Sequence, residues 1–464
     1  MHSFDLIIKN GMIVTSTSIS QADIGVKNGI ITSLSTNLTS SNTEKIIDAN
    51  RKFVLPGMID AHTHLREPGT EHRETFETGT KAAAAGGLTT VFEMPIAKPP
   101  VSTEENFKYR HTTVDGKAVI DFGLYGGAGK DNIEHIESMW KAGAIGFKTF
   151  MINPPPNREE EYWGLYVTDN SQLFNVFREI AKTGLVSAVH AEDSSLVGML
   201  MDELKSSDRK DPKAHLESRP NFVEELAVYA VASLGNIAGV NTHVSHLSTK
   251  EGLKIIREAK SFGQKITTET CPHYLLLSEE DMNTLGPLAK INPPLRSKTD
   301  VETLWHGLRD GSIDVLASDH APYAPHEKLE GFEDIWKSQS GAPQLETTLP
   351  LMLTKINEGY ISIQRLVEVM SENPAKIFGV YPKKGSIQIG SDADFTIVDM
   401  EKEATIDPSK MYSKARDLTP YNGWKVKGVP EKTIVRGEVV MDEGEIIGEL
   451  GFGRIVSPTS KLAG

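Results

Sequence analysis

Phe53-Val54-Leu55-Pro56-Gly57-Met58-Ile59 runs directly into Asp60-Ala61-His62-Thr63-His64, an apolar stretch that reads as a buried strand and closes on two histidines. Strand side chains repeat every two residues, so His62 and His64 point to the same side, as two ligands of one metal ion must. Taken alone, a His-x-His pair is more often a pair of surface or core histidines than a metal site. Its place at the end of a strand gives it meaning, because barrel enzymes carry their chemistry at the C-terminal ends of their strands.

The same arrangement recurs downstream. From residue 52 to 381, apolar strand-like runs alternate with longer helical patterns, as in Leu88 to Phe92, Ala144 to Phe150, Val186 to His190, Thr242 to Leu247 and Ile313 to Ala317. Repeated strand and helix predicts a parallel sheet covered on both faces, and the length suits an α/β fold of the (β/α)8 TIM-like barrel type. Polar candidates fall at the ends of these runs: Lys148 in Gly146-Phe147-Lys148, His190 in Val189-His190-Ala191-Glu192, His246 in His243-Val244-Ser245-His246, and Asp319 in Ser318-Asp319-His320. Several independent strands thus converge on one rim.

The two flanks read differently. Residues 1–51 contain short alternating runs at Asp5 to Ile8, Ile13-Val14 and Ile30 to Leu34. The β-rich pattern returns in Gly385-Ser386-Ile387-Gln388-Ile389-Gly390, in Phe395 to Val398 and in Thr433 to Val440. Neither flank holds enough apolar residues for its own core. Residues 1–51 and 382–454 are therefore expected to form one discontinuous β-sandwich beside the barrel of 52–381, followed by a mobile tail over 455–464.

The formal net charge of -14 over 464 residues argues against a nucleic-acid or anionic-membrane partner, both of which select a basic face. A small-molecule substrate fits better. The start, Phe4 to Gly11, lacks the basic residues and long apolar core of a signal peptide, and no uncharged apolar run approaches the ~20 residues that span a bilayer. The single Cys271 excludes an intrachain disulfide framework, so a cytoplasmic location is expected.

Beyond the histidine pair, the chain carries Gly86-Gly87-Leu88-Thr89-Thr90, Met94-Pro95, Gly146-Phe147-Lys148, Thr270-Cys271-Pro272-His273-Tyr274, Ser318-Asp319-His320 and Gly390-Ser391-Asp392-Ala393-Asp394. In these motifs, which occur in the expected order over nearly the whole chain, it resembles the cyclic amidohydrolases of the hydantoinase, allantoinase and dihydroorotase group. The resemblance implies two divalent ions, usually zinc, with His62 and His64 on one and His190 and His246 on the other. Lys148 bridges them as a CO2-derived carbamate, and Asp319 is the remaining ligand of the first ion and the proton shuttle. In that scheme a hydroxide between the ions attacks the ring carbonyl, and Asp319 passes its proton to the departing ring nitrogen. Within His243-Val244-Ser245-His246, the family pattern His-Leu-Ser-x-x-Glu-Gly selects His246 as the ligand, which leaves His243, His273 and His320 as supporting residues. Tyr162, Trp163, Tyr166, Trp305 and Trp336 receive no role. Relatives are commonly tetramers, so a homo-oligomer, tetramer or dimer, is implied as well.

The motifs divide over the substrate. His64-Leu65-Arg66-Glu67-Pro68-Gly69 is the form found in dihydroorotases, where the arginine pairs with the substrate carboxylate, and Asn292 in Lys290-Ile291-Asn292-Pro293-Pro294 matches that group too. Ile96 stands where dihydroorotases carry an asparagine, and Tyr323 where they carry a histidine. Each donor lost to a buried carboxylate costs ~1.5 to 3 kcal/mol, or roughly one to two powers of ten in affinity. Glu93-Met94-Pro95-Ile96, Leu124 to Gly127, Ala142 to Lys148 and Gly451-Phe452-Gly453 instead resemble L-selective hydantoinases and, more distantly, allantoinases. The expected substrate is a hydantoin-like cyclic ureide, with Arg66, Asn292 and Tyr323 as candidate contacts. A dihydroorotase of pyrimidine metabolism is the alternative. A non-catalytic assembly protein similar to dihydropyrimidinases is a third reading, opposed by the presence of all six ligand positions.

Overall fold

The computed structural model describes residues 4–39, 43 and 45–458. The barrel strands are Met58–Thr63, Leu88–Glu93, Asp121–Leu124 continued by Gly126–Gly127, Phe147–Phe150, Val186–His190, Asn241–Val244, Ile266–Thr270 and Val315–Leu316. Each pairs in parallel with the next. The ring closes where Thr63 bridges His320 and the His64 N–H donates to the His320 carbonyl at 2.8 Å. A (β/α)8 barrel is thus complete, and its closing seam runs through the histidine segment itself. Third and seventh strands escape an apolar-run reading, since Asp121–Leu124 and Ile266–Thr270 carry buried polar residues.

The run that opens the barrel is two strands rather than one. Phe53–Pro56 belongs to the outer sheet, pairing antiparallel with Phe395–Thr405 and parallel with Leu6–Val14. Only from Met58 does the chain turn into the barrel. Gly57 is the crossing point, its N–H donating to the Asp394 carbonyl at 2.9 Å. A side chain there would place its Cβ 2.3 Å from Thr89 Oγ1 and 2.6 Å from Asp394 Cβ, so only glycine lets the two layers approach.

The two flanks meet in a single nine-stranded sheet, the C-terminal strands on one side of Phe53–Pro56 and the N-terminal strands on the other. It curls until Ala393 reaches the Gly29 carbonyl and Gly437 reaches the Ala393 carbonyl, each at 2.8 Å. Leu6, Ile24 and Val54 then pack with Phe395 and Ile434 in one small core drawn from both flanks. Lys425–Val435 and Glu438–Asp442 form a hairpin across Arg436-Gly437, whose φ values of 45° and 80° suit a tight turn. Gly385 to Gly390 is not the expected strand. Hydroxyl contacts from Ser386 to Ser391 at 2.8 Å and from Ser391 to the Pro382 carbonyl at 2.7 Å close it as a loop. The tail expected from residue 455 begins bound: Val456 donates to the Phe122 carbonyl at 2.7 Å and Ser457 to the Gly143 carbonyl at 2.9 Å. Residues 459–464 lie outside the described residues.

Sheet and barrel are locked by a buried charge cluster. The Lys384 ammonium meets Asp394 at 2.7 Å, Asp392 at 3.0 Å and Asp121, and Arg436 also pairs with Asp121. Removing one partner of a buried ion pair leaves the others uncompensated, so Lys384→Ala is expected to cost about 3–5 kcal/mol. Urea denaturation checks this as a lower midpoint at unchanged slope. Among the described residues, no helix is long and apolar enough to cross a membrane.

Candidate metal centre

Alternation along Met58–Thr63 and the residues after it places His62 and His64 side by side, with ring centroids 5.3 Å apart. Asp319 arrives from beyond the eighth strand. Its Oδ1 lies 3.3 Å from the Nε2 of both histidines, all three side chains being buried. Asp319 and His246 adopt φ of 47° and 38°, the left-handed region that non-glycine residues seldom occupy, and such backbone is retained where a side chain must be aimed. The second histidine pair sits alongside. His190 Nδ1 faces His246 Nε2 at 3.0 Å, and the His246 ring is 5.3 Å from that of His62.

Lys148 is buried, with Nζ bonded to Ser245 Oγ at 2.7 Å and 5.2 Å from the Phe150 ring centroid. Its charge disfavours protonation of His62, His64, His190 and His246 alike. Burial lowers its pKa to about 8, which brings the neutral amine within reach near neutral pH. Burial likewise lowers His62 to about 4 and brings His64, His190 and His246 below the usual imidazole range. All four rings are therefore neutral and keep a lone pair for a cation.

This donor set fits metal ions on its own chemistry. His62 Nδ1 is engaged by Glu269, which leaves Nε2 bare toward Asp319. His190 Nε2 is engaged by Glu192 at 2.7 Å, which leaves Nδ1 bare toward His246. The facing atoms, His190 Nδ1 with His246 Nε2 and Asp319 Oδ1 with the Nε2 of His62 and His64, are nitrogen and oxygen donors of the kind a divalent cation takes. The residues predicted as ligands, His62, His64, Lys148, His190, His246 and Asp319, are thus brought together. A second group of buried carboxylates, Asp121, Asp392 and Asp394, also converges, but the Lys384 ammonium already serves as its cation.

Both histidine pairs and Asp319 line a cavity of about 640 Å³. Arg66, Asn292 and Tyr323 line it, as does Ile96. The Arg66 guanidinium lies 4.7 Å from the Tyr323 ring centroid, and its buried Nη1 has no protein partner among the described residues. Asn292 Oδ1 is likewise without one. Tyr323 is ringed by three guanidiniums, with Arg73 at 5.1 Å and Arg158 at 5.6 Å from its centroid, and its hydroxyl accepts from Arg158 at 2.9 Å. Burial raises the phenol, but the three charges outweigh it and the pKa falls below its ordinary value.

Several functional residues escaped the sequence reading. Glu269 receives both His62 and His243, the latter at 3.1 Å, and Glu192 receives both His190 and Arg219. A single charged residue in the strand Ile266–Thr270 was a signal for Glu269, and Glu192 stands two residues after a ligand. Arg158 offered no local signal. Tyr162 and Trp336, assigned nothing, also line the cavity. Of the remaining histidines, His243 bonds Thr267 and Glu269, the carboxylate that also meets His62, while His273 and His320 meet Gln344.

Fold and site together define a barrel protein with the ligands for a divalent-metal centre on its strand-end rim. The profile of the Amidohydrolase family matches residues 53–440. The L-hydantoinase of Paenarthrobacter aurescens is 39% identical over 456 residues, covering 98% of this chain and 98% of that protein. The dihydroorotase of Bacillus cytotoxicus is 35% identical, covering 94% and 97%. The solved L-hydantoinase (dihydropyrimidinase) of Arthrobacter aurescens superposes with a TM-score of 0.94 at 39% identity, covering 98% of this chain and 100% of that one. The chain belongs to the Amidohydrolase family.

Proposed function

We propose that this chain hydrolyses the ring amide of a hydantoin-like five-membered cyclic ureide. His62, His64 and Asp319 would hold one divalent ion and His190 and His246 a second. Zinc is the metal that the resemblance favours, with Lys148 joining the two as a carbamate. The observation that carries the reading is the convergence of both histidine pairs and Asp319 on one cavity, with buried Lys148 bonded to Ser245 beside His246 in the chain. Bound ions supply Lewis acidity to a carbonyl and lower the pKa of water toward neutrality.

The chain's own residues supply the rest. Asp319 takes the proton of the attacking water at its carboxylate and delivers it to the ring nitrogen as the C–N bond breaks. Arg66 offers an unpartnered donor to a polar ring substituent, and Asn292 an unpartnered acceptor. Buried Ile96 offers no hydrogen bond, and the Tyr323 hydroxyl is already engaged by Arg158, which supports a neutral ureide over an anionic ring acid. Dihydroorotate is the second reading, supported by Arg66, Asn292 and the similar dihydroorotase. For assembly as a dimer or tetramer, support comes from Phe222, Leu226, Tyr229 and Ile237, which are exposed along one face of the helix Asn221–Ala238.

A panel of both enantiomers of 5-substituted hydantoins, allantoin, dihydrouracil and dihydroorotate, assayed with metal content quantified, tests the proposal. The expected result is about two ions per chain, ring opening fastest on a hydantoin or allantoin, and loss of turnover on chelation that added zinc reverses. Dihydroorotate turned over far faster than the others would transfer the assignment to the second reading. A chain that holds no metal and opens none of these rings is no enzyme of this type.

A further inference from the structure

Glu192 and Arg219 lie outside the ligand set and outside the steps above. Glu192 is fully buried, and its Oε2 meets both His190 Nε2, at 2.7 Å, and Arg219 Nη1. A carboxylate oxygen bonded to a guanidinium acts as an acceptor, so the hydrogen of the ring contact belongs to His190 Nε2. His190 is thereby held with Nδ1 bare, and Nδ1 is the nitrogen that faces His246. Arg219 is itself fixed, its backbone carbonyl accepting from the Arg296 guanidinium.

The first histidine pair is anchored differently. His62 Nδ1 is held by Glu269, whose other oxygen accepts from His243 Nε2 at 3.1 Å, and His243 Nδ1 meets the Thr267 hydroxyl at 2.8 Å. Glu269 and His243 are fully buried, Thr267 is partly so, and none of the three lines the cavity. Arg219, by contrast, is part of the cavity lining. One anchor is sealed away from whatever occupies the cavity, while the other ends in a guanidinium on its wall.

We infer that Glu192 and Arg219 are positioning residues for the second ion: the carboxylate fixes the tautomer of His190, and the guanidinium in the cavity wall holds the carboxylate. The first ion does not depend on them. This rests on the two-ion reading above.

The test uses the full chain with Zn2+ as the probe, competed against a chelator and read as the affinity of each ion, not as activity. Glu192→Gln is expected to weaken one of the two ions by roughly 10- to 100-fold, the usual cost of losing the partner of a ligating histidine. The other ion should be unchanged. Arg219→Met should weaken the same ion less, and Arg219→Lys, which can still donate to Glu192, should recover most of that loss. In a chain already carrying His190→Asn, adding Glu192→Gln should change the remaining ion by less than about twofold, since the pair no longer has a ligand to position.

If Glu192→Gln does not fold, the two Arg219 variants decide. The inference is overturned if the variants hold both ions as tightly as the parent, if both ions weaken together, or if Arg219→Lys recovers nothing. A parent chain that binds fewer than two ions would instead remove the two-ion reading.

Discussion

Lys148→Ala is expected to abolish retention of both ions together and to lower kcat/KM by about a thousandfold or more, since metal stabilisation of the reacting oxygens supplies several kcal/mol and each 1.36 kcal/mol is a factor of ten. The lysine is fully buried, and burial favours its neutral amine against the opposing charges of Glu269 and Asp319. Alanine removes every donor at that point and leaves the four imidazoles with no anionic group to share. A small carboxylic acid added with zinc should restore part of the activity, because its two oxygens can take the positions that a carbamate would fill. Metal content by mass spectrometry and turnover, each with and without the acid, check the prediction. Full activity in the unrescued variant would remove the carbamate from the proposal.

Asp319→Asn is expected to lower kcat by about 10²–10⁴-fold, the contribution of a positioned general acid–base group, with a much smaller change in KM. The substitution is a clean one. Asparagine matches the shape of aspartate and tolerates the φ of 47° at this position, so the backbone that aims the side chain should persist. What changes is proton affinity: an amide oxygen cannot take a proton from water and return it to the ring nitrogen. Steady-state kinetics alongside metal content and circular dichroism separate this from loss of the first ion. Retention of more than about a tenth of kcat in a metal-loaded, folded variant would exclude Asp319 as the shuttle.

Local signals were legible where the physics is local. His62 and His64 share a face because of strand alternation, and alternating strands and helices gave the barrel. The resemblance carried the six-residue ligand set, and the structure gathers those residues at one rim. Other features had no local signature. The run from Phe53 to Ile59 is uniformly apolar because both of its halves are buried, so hydropathy alone could not show that Gly57 divides two sheets. Gly385 to Gly390 has the alternation of a strand, with Ile387 buried and Ile389 exposed, yet serine side chains close it as a loop.

By itself, then, the sequence determined the class of fold, which follows from the alternation of strand and helix patterns, while the proposed ligands came from the family resemblance. Tertiary structure alone decided which distant residues serve them. Glu269 reaches His62 across 207 positions, and Arg158 reaches Tyr323 across 165. Lys384 meets Asp121 across 263. Partners so far apart in the chain are chosen by closure of the barrel and by the need to pair every buried charge, and neither constraint exists until the strands are in register.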